Sequence, residues 1–443
     1  MPQENTYQDE YQVRLKKLEK IRQANLEPYP AKAGVEESIA EILTNFEAWE
    51  QQGKVVHLGG RIRSLRWHGG ACFIDLDDGD NKIQVYLKKD NFKDEEYQFF
   101  IDTLDLGDFI AASGTLMKTH RGENTVLVTG CTILTKALLP LPEKWHGLAD
   151  SEIRYRQRYL DILANPEVKE KFIARSKIIQ FIRDYFLKQG FLEVDTPILQ
   201  PLASGAIARP FVTKHLALKM DLFLRVAPEI YLKELIIGGF PKVFEIARCF
   251  RNEGIDYSHN PEFSQIEFYW AFKDYTFLMD FMEDFLIALV ESLTPASPAK
   301  RGEHSTGIDF QGQHIEFAKP FLRLDFRQAL IDYADIDLDE YNAAELGKVA
   351  KKKGLAVEKF WGKGKLADEL YKEFVRPKLI QPTYIINHPI ELSPLAKKIP
   401  GRPNYVERFQ LVLGGGLEMM NAFSELNDPL DQEERFAFQT ELA

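Results

Sequence analysis

The chain is poor in cysteine, in long apolar runs and in positive charge. Only three cysteines occur among its 443 residues, which excludes a disulfide scaffold, and their spacing does not suit a metal site. The longest apolar stretches, such as Phe285 to Val290, are far too short to span a bilayer, and the N-terminus has no basic-then-apolar secretory signal. These absences predict a cytoplasmic protein, in a reducing compartment, with no contact with a membrane.

The charge balance and the composition narrow the class further. A formal net charge of −11 excludes a uniformly basic surface for nucleic acid, although a local basic face stays possible. Hydrophobic residues make up 45% of the chain and charged residues 28%, which is typical of a globular protein with a large core. The length favours two or three domains.

Two regions with different patterns follow a helix predicted near the N-terminus. Five short strand-like segments between residues 55 and 136 predict a small barrel, for which an OB-fold and an SH3-like barrel are both possible. Beyond a polar connector, helices and strands mix irregularly, which predicts an α+β domain with a mainly antiparallel sheet. The predicted strands are 242–250 and 263–272, and the predicted helices are 167–189, 274–293 and 343–377, the last interrupted at the Gly- and Lys-rich residues 362–365.

A long polar loop connects the two predicted strands. A plain hairpin needs only about two to five loop residues, so a longer loop rich in Arg, Glu, His and Asn indicates a functional site. Arg251 offers a planar fork for a phosphate or carboxylate, Phe263 a ring for stacking, and Glu253 an acceptor for an amino group. A nucleotide needs these three contacts, although the phosphate-binding patterns G-x-x-x-x-G-K-[ST] and G-x-G-x-x-G do not occur.

A second polar cluster lies in the segment EMMNAFSELND at 418–428. This segment has too many carboxylate and amide groups for an ordinary core strand, because inward-facing ones need a cation, a ligand or a metal: Glu418, Asn421, Glu425 and Asp428. A solvated acidic surface helix is the alternative interpretation.

Three strings carry a family resemblance: FLEVDTP (191–197), FRNEGIDYSHNPEF (250–263) and NAFSELNDPLDQ (421–432). They resemble the class II lysyl-tRNA synthetases, the first two as motifs 1 and 2, and the similarity extends over nearly the whole chain. The resemblance implies a homodimer, because motif 1 resembles the dimer-forming element. It also implies four regions: an N-terminal helical extension (1–54), an all-β OB-fold barrel that binds the anticodon (55–138), a linker (139–165) and an α+β class II catalytic domain (166–443).

The resemblance implies that L-lysine and ATP form lysyl-adenylate and pyrophosphate before lysine passes to tRNA(Lys). Arg251, the implied catalytic residue, resembles the arginine that bridges the ATP α-phosphate and the lysine carboxylate. The other implied ATP contacts are Glu253, His259, Asn260, Phe263 and Glu418. The implied lysine contacts are Gly205 and Glu229 at the α-amino group, Asn421 at the carboxylate, Tyr269 and Glu425 at the ε-ammonium, Phe423 in the channel wall, and Glu267 on the strand face of Tyr269.

In the barrel, the resemblance implies contacts with the anticodon. Phe73 resembles the residue that stacks on an anticodon base, and Arg66, Gln84 and Glu123 resemble readers of base edges. These residue types suit single-stranded RNA, which is recognised by stacking and by hydrogen bonds to exposed edges. A place for Phe73 in the barrel core is the alternative.

The resemblance also implies Mg²⁺, which bridges ATP phosphate oxygens and carboxylates, with Glu418 as one ligand. Gln410 stands at the second ligand position, where many relatives carry Glu, and its neutral carbonyl is a weaker ligand. The class has a third motif, a Gly-rich strand and helix with an arginine for the γ-phosphate. After Gly416 the chain contains no glycine and only Arg435, so we expect the 443-residue polypeptide to lack this motif and to be weakly active.

Three other functions fit parts of the pattern. A catalytically impaired paralogue that binds RNA or a partner protein would explain why the third motif is lacking, although such a protein does not need Arg251, Phe263 and Glu425 together. An aspartyl- or asparaginyl-type ligase shares the architecture, but Glu425 would repel an acidic substrate. A paralogue that modifies proteins with lysine typically lacks the barrel.

Overall fold

The structure is a computed structural model that describes residues 2–141, 148–202, 208–254, 259–293 and 306–442. The chain divides into two compact units, Met1–Glu170 and Lys171–Ala443. Within the described ranges, none of the helices combines the length and the apolar content that a bilayer-spanning segment needs.

A closed five-stranded barrel forms the centre of the first unit, with the strand order β1-β2-β3-β5-β4. Along each strand, side chains point alternately to the inside and the outside of the barrel. Cys72, Ile74 and Leu76 of β2 therefore fill the barrel interior. A closed barrel with this order is the OB-fold rather than an SH3-like barrel. The elements of this unit are α1 (Pro2–Gln23), α2 (Ile39–Thr44), α3 (Phe46–Gln52), β1 (Val55–His68), β2 (Ala71–Asp77), β3 (Lys82–Lys88), α4 (Asp94–Thr103), β4 (Phe109–Lys118), β5 (Asn124–Thr135), α5 (Ser151–Arg156) and α6 (Arg158–Ala164).

The first helix, α1, packs on the barrel through ion pairs. Lys17 Nζ lies 2.6 Å from Asp105 Oδ1, and Arg14 donates to the carbonyl oxygens of Leu106 and Ala137. The buried ammonium of Lys136 binds the same Asp105. The Lys17–Asp105 pair and the two hydrogen bonds of Arg14 hold the helix in the first unit.

The second unit begins within a long helix, α7 (Pro166–Lys188). The helix ends just before Gly190, whose backbone φ is 80°. Its further elements are β6 (Leu192–Glu193), β7 (Leu199–Gln200), β8 (Val212–His215), β9 (Met220–Leu224), α8 (Glu229–Ile237), β10 (Lys242–Phe250), β11 (Glu262–Trp270), α9 (Tyr275–Leu293), β12 (Gly307–Phe310), β13 (Gln313–Glu316), β14 (Leu322–Asp325), α10 (Phe326–Ala334), α11 (Ala343–Lys352), α12 (Lys363–Leu370), β15 (Thr383–Pro389), β16 (Lys398–Ile399), β17 (Arg402–Leu413), β18 (Leu417–Phe423) and α13 (Pro429–Leu442).

Two main sheets share one aromatic core in this unit. One sheet has the order β11-β10-β6, and the other β14-β15-β17-β16, with β18 paired to β17. Most pairs are antiparallel, as predicted, and β6–β10 and β14–β15 are parallel. Phe186 of α7 packs against Phe244 of β10 and Phe285 of α9, and Tyr384 and Phe409 belong to the same cluster. Each fully buried ring stabilises the fold by roughly 1.5–3 kcal/mol.

The interruption predicted within residues 343–377 is placed wrongly. Helical structure stops at Lys352 and resumes at Lys363, so the Gly- and Lys-rich residues begin α12 instead of breaking a helix. Gly364 is buried, and a Cβ atom at that position would lie only 2.7 Å from the Cβ of Glu391. Glycine at 364 therefore allows close packing and does not mark a flexible segment.

Candidate active site

Four residues at alternate positions of β11 share one face of the sheet: Phe263, Gln265, Glu267 and Tyr269. The pairing of β11 with β10 is regular over nine residue pairs, so this face is not interrupted by a bulge. About 20 Å of strand separates Phe263 from Tyr269. A nucleotide and an amino acid can lie end to end along such a face.

Arg251 and Phe263 lie together at one end of this face. The backbone N–H group of Arg251 donates to the carbonyl oxygen of Pro261 at 2.9 Å, and the guanidinium carbon lies 5.0 Å from the centre of the Phe263 ring. Nε of Arg251 is buried and has no hydrogen-bond partner among the described residues. Burying an unpaired N–H typically costs about 1–3 kcal/mol, so an acceptor such as a phosphate or a carboxylate would complete this end of the site.

Four other residues of the predicted site are either exposed or outside the part of the chain that the structure describes. Glu253, His259 and Asn260 are exposed on the loop between β10 and β11. Gly205 lies outside the described residues. The contacts that the sequence predicts for these four residues stay predictions.

The other end of the face holds an acidic group. Glu229 is buried in the first turn of α8, and Glu425 follows the end of β18. Both bind the same ammonium group, because Lys233 Nζ lies 2.6 Å from Glu229 Oε1 and 3.0 Å from Glu425 Oε2. This ammonium lies 5.9 Å from the ring centre of Tyr269 and 5.8 Å from that of Phe423. Four predicted lysine contacts thus surround one point, which a lysine of the chain itself occupies.

Lys233 is charged in this position. Burial alone would lower the pKa of its ammonium, but Glu425 and Glu229 more than offset the loss of water and raise the pKa above its ordinary value. The recess is therefore one that stabilises an alkylammonium ion.

Glu267 lies beside this point on β11. Tyr269 Oη donates to Glu267 Oε1 at 2.9 Å, and Gln265 Nε2 donates to Glu267 Oε2 at 3.1 Å. Burial, together with the neighbouring carboxylates of Glu229 and Glu245, raises the pKa of Glu267 to about 7. A small change in its surroundings therefore changes its charge near neutral pH.

For lysine bound at this end of the face, as the resemblance implies, the pKa of Glu267 predicts a pH dependence of binding. A bound ammonium favours the ionised carboxylate, which dominates only above the pKa of Glu267, so lysine should bind more weakly as the pH falls through about 7. We expect the KM for lysine to fall about tenfold between about pH 6 and about pH 8, in lysine-dependent ATP–pyrophosphate exchange. Glu267→Gln should flatten this profile and leave that of the KM for ATP unchanged. A wild-type profile without this slope would contradict the assignment.

Asn421 is oriented by a neighbouring strand. Arg408 Nε donates to Asn421 Oδ1 at 2.8 Å, and Arg408 Nη1 donates to the carbonyl oxygen of Leu392 and to Ser393 Oγ. With its carbonyl oxygen engaged, the Asn421 side chain has its amide N–H groups left to donate. That polarity suits the predicted contact with a carboxylate.

The two predicted metal ligands do not form a carboxylate pair. Gln410 lies opposite Asn421 in the β17–β18 pair, and its Oε1 lies 3.3 Å from His388 Nε2. Burial lowers the pKa of His388 to about 3, so this imidazole is neutral. A bulge between Leu411 and Val412 separates Gln410 from the pairing position of Glu418. Among the described residues, no group of three or more His, Cys, Asp or Glu side chains could hold a metal ion.

Arg66 and Glu123 are exposed on the barrel and Phe73 is half-buried, whereas the fourth predicted anticodon residue, Gln84, is buried. Phe73 is half-buried between the inward-facing Cys72 and Ile74, and its ring stacks on Tyr86 with a centroid distance of 4.6 Å. Phe73 therefore lies outside the barrel core, and the alternative interpretation is wrong. Arg66 binds Asp75 through both terminal nitrogens at 3.0 Å, and Gln84 Nε2 donates to Glu123 Oε2 at 2.9 Å.

Three residues of this site were not found from the sequence: Lys233, Arg408 and Gln265. The spacing of Glu229 and Lys233 by four residues on a helix was a usable signal, because such pairs lie on one face. The alternation of β11 likewise places Gln265 beside Glu267. The contact of Arg408 with Asn421 depends on the register of two strands, which the sequence does not specify.

Comparisons with known proteins agree with this architecture. Residues 150–442 match the family described as tRNA synthetases class II (D, K and N), and residues 56–134 match an OB-fold nucleic acid binding domain. The lysine–tRNA ligase of Roseiflexus castenholzii is 46% identical over 97% of this chain and 86% of its own length. That of Moorella thermoacetica is 44% identical over 96% of this chain and 85% of its own length.

These matches confirm the predicted fold class, an OB-fold barrel followed by a class II catalytic domain. They do not favour the alternative of a catalytically impaired paralogue, because the relatives that match over nearly the whole chain are ligases. The chain belongs to the class II lysyl-tRNA synthetases, the family of ATP-dependent lysine–tRNA ligases.

Proposed function

We propose that the face of β11 is the site at which L-lysine and ATP form lysyl-adenylate, from which lysine passes to tRNA(Lys). The observation that carries this proposal is the arrangement of two complementary ends on one strand face. One end has the buried side-chain Nε of Arg251, without a partner among the described residues, beside an aromatic ring, and the other has carboxylates around an ammonium ion. The first end suits the phosphate and the base of a nucleotide, and the second suits the ammonium group of a lysine side chain.

At the nucleotide end, Arg251 is proposed to bridge the ATP α-phosphate and the lysine carboxylate. A carboxylate oxygen attacks the α-phosphorus in line, the bond to the bridging oxygen of pyrophosphate breaks, and negative charge builds on the phosphate oxygens. The ionised carboxylate is already a nucleophile, so no general base is needed, and positioning and charge stabilisation dominate. The guanidinium covers one face of Phe263, and the opposite face is proposed to stack on adenine, with Glu253, His259 and Asn260 as further ATP contacts.

At the lysine end, the carboxylates are proposed to bind the two ammonium groups of the substrate. Glu229 and Gly205 would bind the α-ammonium, whereas Glu425 and Tyr269 would bind the ε-ammonium, with Phe423 along the apolar stem. Glu267 supports Tyr269 through their 2.9 Å hydrogen bond. Asn421, held by Arg408, would donate to the carboxylate. The conversion of such a pocket to one for aspartate would require removal of its net negative charge.

Magnesium is proposed to bind at Glu418 together with phosphate oxygens of ATP. One protein carboxylate plus substrate phosphates is a usual set of Mg²⁺ ligands. Gln410 would contribute little, because its carbonyl oxygen faces His388. When bound, the ion would neutralise charge on the phosphates. A titration of Mg²⁺ binding in the presence of ATP, compared between the wild type and Glu418→Gln, tests this placement, since an equal affinity would contradict it.

A homodimer is proposed on an apolar surface of the second unit. Large apolar side chains between motif 1 and the end of α8 are strongly exposed, with exposed fractions of 74% at Leu202, 83% at Leu216 and 85% at Ile237. A contiguous apolar patch marks a surface that another protein covers, and these side chains are proposed to contribute to one. Sedimentation of the full chain as a monomer at micromolar concentration would contradict the proposal.

A cytoplasmic location is also proposed. The three cysteines, Cys72, Cys131 and Cys249, form no disulfide, and burial raises the pKa of the Cys249 thiol to about 11. Unpaired cysteines are typical of a reducing compartment. Fractionation of cells that express the tagged chain tests this location.

The barrel is proposed to bind the anticodon through Phe73. Replacing Phe73 by alanine should raise the KM for tRNA(Lys) about tenfold to a hundredfold, because stacking on one base contributes about 1–3 kcal/mol. ATP–pyrophosphate exchange should be unchanged, since it does not require tRNA. Phe73→Tyr keeps the ring and should charge tRNA normally. An unchanged KM for tRNA in Phe73→Ala would refute this role.

A further inference from the structure

The ammonium group of Lys233 occupies the two carboxylates that the proposed function gives to the substrate. Its Nζ lies within 3.0 Å of oxygens of both Glu229 and Glu425. Its stem enters from α8, and the rings of Tyr269 and Phe423 lie within 6 Å of the same nitrogen. A substrate ε-ammonium that binds Glu425 beside Tyr269 would therefore meet Lys233.

We propose that Lys233 is an internal substitute for the substrate's ε-ammonium, which lysine must displace from Glu425 when it binds. This inference rests on the proposed function, because it takes Glu425 as the substrate's partner. Lys233 would then be a residue that determines the affinity and the selectivity for lysine, and not only a structural ion pair.

The helix provides a place to which Lys233 can withdraw. Glu229 and Lys233 are four residues apart on α8, so their pair persists when the contact with Glu425 is broken. Glu425, in contrast, lies beyond β18 and its side chain is 41% exposed. Of the two ion pairs of Lys233, the one with Glu425 is therefore the pair that is accessible from solvent and that a ligand can replace.

Charge supports a displacement rather than a simple addition. Lys233 Nζ already contacts Glu425 Oε2 at 3.0 Å and would repel a second ammonium ion at that oxygen, so the substrate's ε-ammonium competes with Lys233 for it. After displacement, three carboxylates (Glu229, Glu267 and Glu425) face three cations: Lys233 and the two ammonium groups of lysine. Formal charges at this end of the face are then balanced at a pH above the pKa of Glu267, and the substrate carboxylate is left to Arg251 and Asn421.

The displacement also favours a ligand that carries its own side-chain ammonium. L-norleucine has an apolar side chain of similar length but no cation to replace Lys233 at Glu425. Lysine breaks the Lys233–Glu425 pair and forms a new ion pair with Glu425, whereas norleucine cannot form one. Lys233 should therefore lower the affinity for lysine without contributing to the binding of norleucine.

Calorimetric titration of the 443-residue chain tests the proposal with two variants, one expected to bind lysine more tightly and the other more weakly. Lys233→Met removes the competing ammonium and should lower the Kd for lysine about tenfold, as expected if the open pocket is about one-tenth populated in the wild type. Its affinity for norleucine should not increase. Lys233→Arg should bind the carboxylates through a planar fork and raise the Kd for lysine several-fold. A Lys233→Met variant that binds lysine with unchanged or weaker affinity would overturn the proposal, and so would a Lys233→Arg variant that equals the wild type.

A matched control separates this effect from the loss of any helical ion pair. Lys365 pairs with Glu369 over the same spacing and at the same distance of 2.6 Å, so Lys365→Met should leave the Kd for lysine unchanged. Thermal unfolding and the Kd for ATP report on the fold of each variant. If Glu425→Gln binds lysine normally, the proposed function fails. If Glu425→Gln loses lysine while Lys233→Met gains nothing, the displacement alone fails.

Discussion

Replacement of Arg251 by methionine will lower kcat/KM for lysine-dependent ATP–pyrophosphate exchange by about a thousandfold, the upper range for one lost donor to a developing charge. The guanidinium is proposed to contact both reacting groups, so the loss should appear in kcat as well as in KM. The buried Nε without a partner among the described residues is the reason to expect an effect of this size. Exchange measured at saturating ATP and lysine gives kcat directly.

Two controls separate catalysis from stability at Arg251. Arg251→Lys keeps the charge but loses the planar fork, and its activity should lie between those of the wild type and Arg251→Met. The folded protein should not lose stability in Arg251→Met, because the substitution removes an unpaired buried N–H. Thermal unfolding without ligands therefore should show no decrease. Activity within tenfold of the wild type would exclude a direct role in the reaction.

Much of the fold follows from periodicity. The alternation of buried and exposed residues on β2 and the glycine that follows α7 made these elements predictable, because each signal is local. The role of Gly364 was predicted wrongly because its signal is not local. Its role depends on Glu391, a residue from a distant segment that comes within 2.7 Å of where a Cβ would lie. Local composition does not distinguish a flexible glycine from a closely packed one.

The candidate site likewise contains residues that the sequence predicts and contacts that only the folded chain creates. Arg251, Phe263 and Glu425 could be proposed from residue type and from motif resemblance. The position of Lys233 between Glu229 and Glu425 could not, because it requires α8 and the end of β18 to meet in the folded chain. The hydrogen bond between Gln410 and His388 is a similar case, in which two strands must pair before the contact exists.

Replacement of Glu425 by glutamine will lower kcat/KM for lysine about a hundredfold while the KM for ATP stays near its wild-type value. Removing one partner of a hydrogen-bonded charge pair typically costs about 2–5 kcal/mol, and the lower part of that range applies because the side chain is 41% exposed. The amide has almost the same shape as the carboxylate, so the expected change is mainly one of charge. ATP–pyrophosphate exchange over a range of lysine concentrations measures the effect.

The specificity of this effect is checked by the same chemical change elsewhere. Glu434 is exposed on α13, and Glu434→Gln should leave exchange unchanged. Glu425→Gln also frees Lys233 from one of its two partners, but the remaining pair with Glu229 keeps that ammonium on α8. The double variant Glu425→Gln with Lys233→Met should therefore bind lysine as weakly as Glu425→Gln alone, because the displaced ammonium matters only while Glu425 carries charge. A double variant that recovers wild-type affinity would show that the substrate's ε-ammonium binds elsewhere.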